Sequence, residues 1–435
     1  MRVLFLASTL PRFPNDLQAP FVLEQAAAWK AARPEDAVTI LAPHDAAAAR
    51  HEWIGSVEVR RFQYFLPARL QALAYPAILP NLRRNPLVAA QIPPFLLAEF
   101  AAARRLVRDN RIDLVYAHWV MPQGLIARWL LRAANVPYVV QNHSSDLAVF
   151  SKAGRFGRAA ARAVLRDARV MFCVNRQQKA DALALFDAAS QPAIANKIRV
   201  LPMGVGLDVS AVRASGGVST RYSLTGSEPA EEPASAGDVG YRYVLGMVSR
   251  LSRKKGIDLF ISAAEQLAEE GVSVPIGIAG DGEDREVLKA IPRRADITFT
   301  GFLLGADKLR FFNESRFMVF PSVSSGGDVE GLPVALLEAL CCGKVVIAGR
   351  DTNVMLLPEW KQIAKDVFLL DDPRDTEAFI AAIRALLALD SAEVAARSAR
   401  LRATMARYLW DRLITDYLDA IDAVGPSSRA QEAAN

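Results

Sequence analysis

The chain has 435 residues, 52% hydrophobic and 23% charged, which excludes a disordered protein and is too long for one ordinary core, so two or three domains are expected. Net charge is +5, but residues 1–210 carry 26 Lys and Arg against 15 Asp and Glu, and the remainder 26 against 32; this asymmetry points to an anionic partner for the first half. The three cysteines, Cys173 and the adjacent Cys341 and Cys342, exclude a disulfide framework and fit a reducing compartment.

The first apolar run, residues 3–7, is too short for a secretory signal and leads into Pro11 and Pro14. It reads as a strand, followed by a turn-rich loop, a helix from residue 21 to about residue 32, and strands at 38–41 and 57–62. This alternation opens a doubly wound sheet. Residues 62–106 crowd Phe62, Tyr64, Phe65, Leu66, Leu70, Leu73 and Tyr75 among Arg60, Arg61, Arg69, Arg83 and Arg84. Such a mixture suits an interface between water and anionic lipid, or a helical insertion packed on its own domain. No window offers the ~20 uninterrupted apolar residues of a spanning helix. Residues 86–100 come closest, and Pro93, Pro94 and Glu99 interrupt them.

A strand at 112–117 is followed by His118 and Trp119, and one at 137–141 by Asn142, His143, Ser144, Ser145 and Asp146. His143 thus stands at the carboxyl end of a central strand, where open parallel sheets bind ligands; a structural histidine is the alternative. Arg155, Arg158, Arg162, Arg166 and Arg169 recur three or four apart, on one helical face. A phospholipid surface or a diphosphate-lipid acceptor would meet that charge, and a solvated face is the plainer reading. Strands at 170–174 and 198–201 complete the first sheet. Residues 215–240, rich in Gly, Ser, Pro, Ala and Glu, read as a flexible linker.

The second domain opens with a strand at 243–248. Arg250 and Lys255 follow it, before a helix, and cations at a strand's carboxyl end ahead of a helix N-terminus make an oxyanion site. A strand at 276–279 leads into Gly280-Asp-Gly282. Residues 317–348 form one strand–loop–helix–strand unit: a strand ending at Pro321, a Ser-Gly loop, Pro333 at the first helical position, Gly343 at the helix stop and a strand at 345–347. Glu330 falls in the loop and Glu338 among Val334, Leu336, Leu337 and Leu340. A carboxylate in so apolar a helix needs a partner. A ribose or sugar diol would supply one; a solvent-facing Glu is the alternative. Helical segments at 377–389 and 392–408 precede a final helix around residues 410–423.

The run E-G-L-P-V-A-L-L-E-A, its glutamates eight apart, resembles the E-x7-E motif of retaining glycosyltransferases of family four, the glycosyl transferases group 1 type. The resemblance spans nearly the whole chain. It implies an α/β GT-B fold, two Rossmann-like doubly wound domains facing each other across a cleft. The acceptor-side domain would span residues 1–214, with a crossing helix at about 408–424. The linker at 215–240 would join it to a nucleotide-sugar-binding domain at 241–407, and residues 425–435 would be a disordered tail.

The resemblance further implies that Glu330 and His143 lie at the reacting sugar, that Arg250 and Lys255 hold the donor diphosphate, and that Glu338 holds the ribose. Gly331, Leu332, Pro333 and Gly280 would line the donor. The segment N-H-S-S-D is similar to the family's H-G-[ST]-D, with Ser144 in place of glycine. The family's first-loop glycine pair is replaced by Arg12-Phe-Pro-Asn-Asp16 and its later G-G-x-x-E loop by residues 350–358, so their contacts do not carry over. Asp328-Val-Glu330 is set aside as a metal motif because the family places Glu330 at the sugar; neither metal nor cofactor is expected. The expected activity is transfer of a sugar from a UDP- or GDP-linked donor to a lipid-linked or envelope-glycan acceptor in cell-surface polysaccharide biosynthesis. Attachment to the cytoplasmic face of a membrane is expected, and no nucleic acid. A glycosidase, a nucleotide-sugar epimerase and a non-catalytic sugar-nucleotide-binding partner of the same fold are the rivals.

Overall fold

A computed structural model describes residues 1–13, 16, 20–143, 147, 154–206, 240–291, 293–324 and 332–425. The chain is α/β and divides into two compact units, Met1–Gly204 with the segment from Trp410, and Val205–Leu409. Residues 207–239, which hold most of the expected linker and the boundary drawn at 214, lie outside the described residues, as does the tail from 426.

The first unit is built on an eight-stranded sheet of order β3-β4-β2-β1-β5-β6-β7-β8. Its strands are β1 Arg2–Leu6, β2 Ala37–Pro43, β3 His51–Ile54, β4 Val57–Phe62, β5 Leu114–His118, β6 Tyr138–Asn142, β7 Met171–Cys173 and β8 Ile198–Val200. All pair in parallel except β3, which runs antiparallel to β4 at the edge. β5 and β6 are buried along their whole length, and β1 from its second residue, as expected of parallel strands covered on both faces. One face is covered by the helix Pro20–Ala32 and by the last helix, Trp410–Asp422, whose Asp422 pairs with Arg33. Gly204 permits that return: a Cβ there would stand 2.4 Å from the Trp410 ring.

Residues 86–109 form a 3-10 segment, Pro86–Gln91, running into the helix Ile92–Asp109. Pro93 and Pro94 lie in the first turn, where a missing N–H costs nothing. Glu99 turns inward with Phe95, Ala103 and Val107. Burial pushes its carboxyl up to about 8, with Gln123 Nε2 at 3.4 Å, so it is uncharged at neutral pH. The expectation that these three residues interrupt the run is therefore corrected: 86–109 is long and apolar enough to cross a membrane by length and composition. Its inner face nevertheless packs on the core of this unit. The outer face shows Leu87, 83% exposed, and Leu97, 64% exposed, then Arg104, Arg105 and Arg108.

The basic helix, Gly154–Asp167, exposes Arg155, Arg158, Arg162 and Arg166 and buries Ala161, Val164 and Leu165. Arg169 does not share that face. It lies beyond the helix and donates to the Gly425 carbonyl at 2.6 Å.

The second unit holds a six-stranded parallel sheet of order β11-β10-β9-β12-β13-β14. Its strands are β9 Tyr243–Val248, β10 Ile276–Ala279, β11 Ile297–Gly301, β12 Ser315–Phe320, β13 Val346–Gly349 and β14 Val367–Leu370. The helix between β12 and β13 runs Val334–Cys341, with extended Pro333 capping it from outside rather than filling its first turn. Gly343, at φ +75°, ends it in the left-handed conformation.

Candidate functional site

In the second sheet the strand order reverses between β9 and β12, since β10 follows β9 on one side and β13 follows β12 on the other. Ligands of open α/β sheets bind outside the carboxyl ends of the strands at such a reversal. The loop after β9 carries Arg250 and Lys255, and the loop after β12 leads to Leu332, Pro333 and Glu338. Glu330 and Gly331 lie outside the described residues.

Close backbone approach fastens the two loops together. Gly256, at φ +67°, ends the 3-10 turn Arg253–Lys255 and opens the helix Ile257–Glu269. A Cβ on it would stand 2.1 Å from the Pro321 carbonyl oxygen. Val323 N donates to the Lys254 carbonyl at 2.9 Å. Gly280, at φ +148°, brings the loop after β10 against the same place, where a Cβ would fall 1.8 Å from the Ser249 carbonyl oxygen. Arg250 is 59% exposed, and its Nε donates to Glu283 at 3.0 Å. An exposed pair of this kind is worth little, so the guanidinium is available to an anionic ligand. Two hydroxyls of the loop, Ser249 Oγ and Ser252 Oγ, are buried without a partner among the described residues.

Glu338 is 4% exposed and is not solvent-facing. Lys308, on the helix Gly305–Glu314, donates to its Oε1 at 2.5 Å. Burial raises the carboxyl above its usual range and Lys308 opposes that rise. Lys308 was not among the residues read from the sequence; thirty positions separate it from Glu338, and no local spacing joins them. Asp351, in the segment whose family contacts do not carry over, accepts from Ser324 N at 2.5 Å, and Arg374 donates to the Ser324 carbonyl at 3.2 Å. Together they pin the last described residue before the glutamate loop.

In the first sheet the order reverses between β1 and β5. His118 ends β5 and His143 follows β6. Strand alternation places Tyr116 with His118, and Gln141 with His143, on one face. His118 Nδ1 and His143 Nε2 are 2.9 Å apart and the rings stack at 5.1 Å. Phe21 and Trp119 hold His143 at ring-centroid distances of 4.8 and 4.9 Å. Beneath them Gln25 donates to Tyr116 Oη, which donates to Gln141 Oε1, and Gln141 Nε2 donates to Tyr417 Oη. Burial drives the His143 imidazole down to about 3 and His118 well below its usual value, so both rings are neutral at pH 7. His118 appeared in the sequence only as a residue following a strand.

Residues 18–204 match the model of the glycosyl transferase 4-like domain and residues 242–389 that of glycosyl transferases group 1. The chain is 28% identical to the putative colanic acid biosynthesis glycosyltransferase WcaL of Escherichia coli K12, over 45% of this chain and 47% of that protein. It is 27% identical to the putative teichuronic acid biosynthesis glycosyltransferase TuaC of Bacillus subtilis, over 63% and 61%. It is 26% identical to the GDP-mannose-dependent alpha-(1-6)-phosphatidylinositol monomannoside mannosyltransferase of Mycolicibacterium smegmatis, over 66% and 70%. The chain thus spans about half to three fifths of the first two relatives. Among solved structures it is similar to the Escherichia coli trehalose-6-phosphate protein bound with UDP-2-fluoro glucose, with a TM-score of 0.64 at 11% identity over 98% of this chain and 100% of the other. That likeness shows the fold.

Removing the cation from the buried Lys308–Glu338 pair tests its weight. Lys308→Met is expected to cost about 3 kcal/mol, because the buried carboxyl loses its partner. Without the lysine the folded-state pKa of Glu338 rises further above its unfolded value, so the deficit grows as pH rises between them. Urea unfolding at pH 5 and pH 8 should show the larger loss at pH 8. Equal, small losses at both would mean that Lys308 does not hold this carboxylate.

Proposed function

Because the chain belongs to the glycosyl transferases group 1 family, of the family-four type with the GT-B fold, we propose that it moves a sugar from a UDP- or GDP-linked donor to a lipid-linked or envelope-glycan acceptor, with retention of configuration and without a metal. The observation that carries this reading is the reversal point of the second sheet, where the loop with Arg250 and Lys255 is fastened to the end of the strand that precedes Glu338 by the contact of Gly256 with Pro321. In this reading Arg250 and Lys255 meet the charge that develops on the departing diphosphate. Glu338, held by Lys308, accepts from the ribose hydroxyls. Glu330 serves the reacting sugar, and the leaving diphosphate takes the acceptor proton on the same face. His143, a neutral ring, orients hydroxyls and does not supply a positive charge. The relatives' printed names, two in polysaccharide biosynthesis and one acting on a phosphatidylinositol mannoside, support the acceptor class.

Deleting one contact to developing charge costs about 2.7–4 kcal/mol, or about 10²–10³ in rate. Arg250→Ala and Lys255→Ala should each lose transfer on that scale while thermal unfolding stays that of the parent. Near-normal turnover in both variants would remove the diphosphate assignment.

Peripheral attachment to the cytoplasmic leaflet belongs to the same proposal. Exposed Leu66, Leu70, Leu87 and Leu97 accompany exposed Arg69, Arg83, Arg84, Arg104, Arg105 and Arg108 in the first unit. Each cation near an anionic surface contributes about 1 kcal/mol, screened by salt, and the leucines add a part that salt does not screen. Binding to phosphatidylglycerol vesicles should fall but persist as salt rises. Arg158→Gln, Arg162→Gln and Arg166→Gln together should weaken it with donor binding unchanged. A protein that ignores such vesicles at low salt yet glycosylates a soluble acceptor contradicts this part.

A further inference from the structure

Two histidines share one hydrogen bond, and the surroundings of one of them decide where both protons sit. His118 is fully buried, and its Nε2 has no partner among the described residues. A neutral imidazole has one donor and one acceptor nitrogen, so the 2.9 Å contact between His118 Nδ1 and His143 Nε2 allows two arrangements. In the first, His143 Nε2–H donates to His118 Nδ1. The His118 proton then sits on Nε2, a buried donor with no acceptor. The rings of Phe5 and Tyr116 do not supply one: each is stacked on His118 at an interplanar angle of 29°, so the in-plane N–H does not point at their faces. In the second arrangement, His118 Nδ1–H donates to His143 Nε2 and the bare lone pair of His118 is left buried. A stranded donor is the rarer and costlier defect, so the second arrangement prevails. With Nε2 of His143 accepting, its own proton is on Nδ1.

We infer that His118 is a positioning residue: it locks His143 as the neutral Nδ1–H tautomer, so that His143 offers ligands a hydrogen-bond donor and not a base. The inference rests on the reading of His143 as a residue at the reacting sugar, and it specifies what that residue can do there. His143 is half-buried as a residue, and its Nε2 edge is occupied by His118. Nδ1–H is thus its one remaining polar group. A donor of fixed direction suits a sugar hydroxyl or an oxygen gaining negative charge. It cannot remove the acceptor's proton, which leaves that task to the departing diphosphate. The ring stack of Phe5, Tyr116 and His118 and the hydrogen-bonded row of Gln25, Tyr116 and Gln141 hold His118 in register from below.

The chain has four histidines, so their imidazole nitrogens can be resolved in the full-length protein labelled with 15N-histidine. Long-range 1H–15N correlation at pH 7 should show His118 and His143 both as Nδ1–H tautomers. His143 as Nε2–H, or as an imidazolium, overturns the inference. The two arms use His118→Asn, whose amide N–H takes the place of Nδ1–H, and His118→Leu, which donates nothing. With the Asn variant, His143 should keep its tautomer and most of kcat. With the Leu variant, His143 should become a mixture of tautomers, and kcat should fall at least about 10-fold with donor KM within about 2-fold. Equal kcat in the two variants, or an unchanged His143 spectrum in the Leu variant, also overturns it. Should the Leu variant fail to fold, the parent and Asn spectra decide the matter. Absence of sugar transfer by the parent protein would sink the functional reading and leave the tautomer result standing, so the two failures are distinguishable.

Discussion

The contact between residue 256 and the carbonyl oxygen of Pro321 is the constraint that joins the two loops of the second unit. A Cβ at 256 would stand 2.1 Å from that oxygen, well inside van der Waals contact, and the backbone there is left-handed. Only glycine meets both demands without strain. Because it does, Lys255 lies against the end of β12 and the turn that carries it opens directly into a helix. Gly280 repeats the device one strand over. The cation loop, the loop after β10 and the segment leading to the glutamates therefore share one edge without a side chain between their backbones.

Once the edge is assembled, the cost of burying polar groups sets the details. Glu338 is buried beside the half-buried Lys308, and its carboxyl is raised by burial and lowered by the lysine, so the lysine makes that burial tolerable. At the end of β5 and β6 in the first unit the same problem is solved without charge. Gln25, Tyr116, Gln141 and Tyr417 satisfy one another in a row, and His118 and His143 stay neutral above them. Under the proposed function, the second unit offers cations to its ligand, and the end of β5 and β6 in the first unit offers directed hydrogen bonds in an aromatic setting.

Much of this was legible in the sequence because parallel strands buried on both faces are continuous apolar runs. Residues 243–248, 276–279 and 367–370 are such runs and are strands over the expected spans, as is 57–62, where charged residues stand between the apolar ones. β3 was not read, since His51-Glu52-Trp53-Ile54 lies at an exposed edge with no buried face to impose a period. The helix at 92–109 was misread as broken because proline position matters more than proline count: both prolines sit in the first turn, and Glu99 turns inward uncharged. Arg169 matched the helical spacing of its neighbours, but the helix ends at Asp167. Pro333 suited the first turn by composition, yet its extended backbone puts it one position earlier. Lys308, Asp351 and His118 escaped because their partners are distant in sequence, and pairing across a fold leaves no local spacing. The role of Glu330, which falls outside the described residues, still rests on the motif.

The central claim is transfer with retention, driven by protein cations at the diphosphate. It is tested most directly by one experiment: turnover of an α-linked nucleotide sugar in excess chelator, with the anomeric configuration of the product read from its one-bond 13C–1H coupling at the anomeric carbon. The account predicts undiminished transfer and an α-linked product. A β-linked product, or activity that vanishes with chelator and returns with magnesium or manganese, would contradict it.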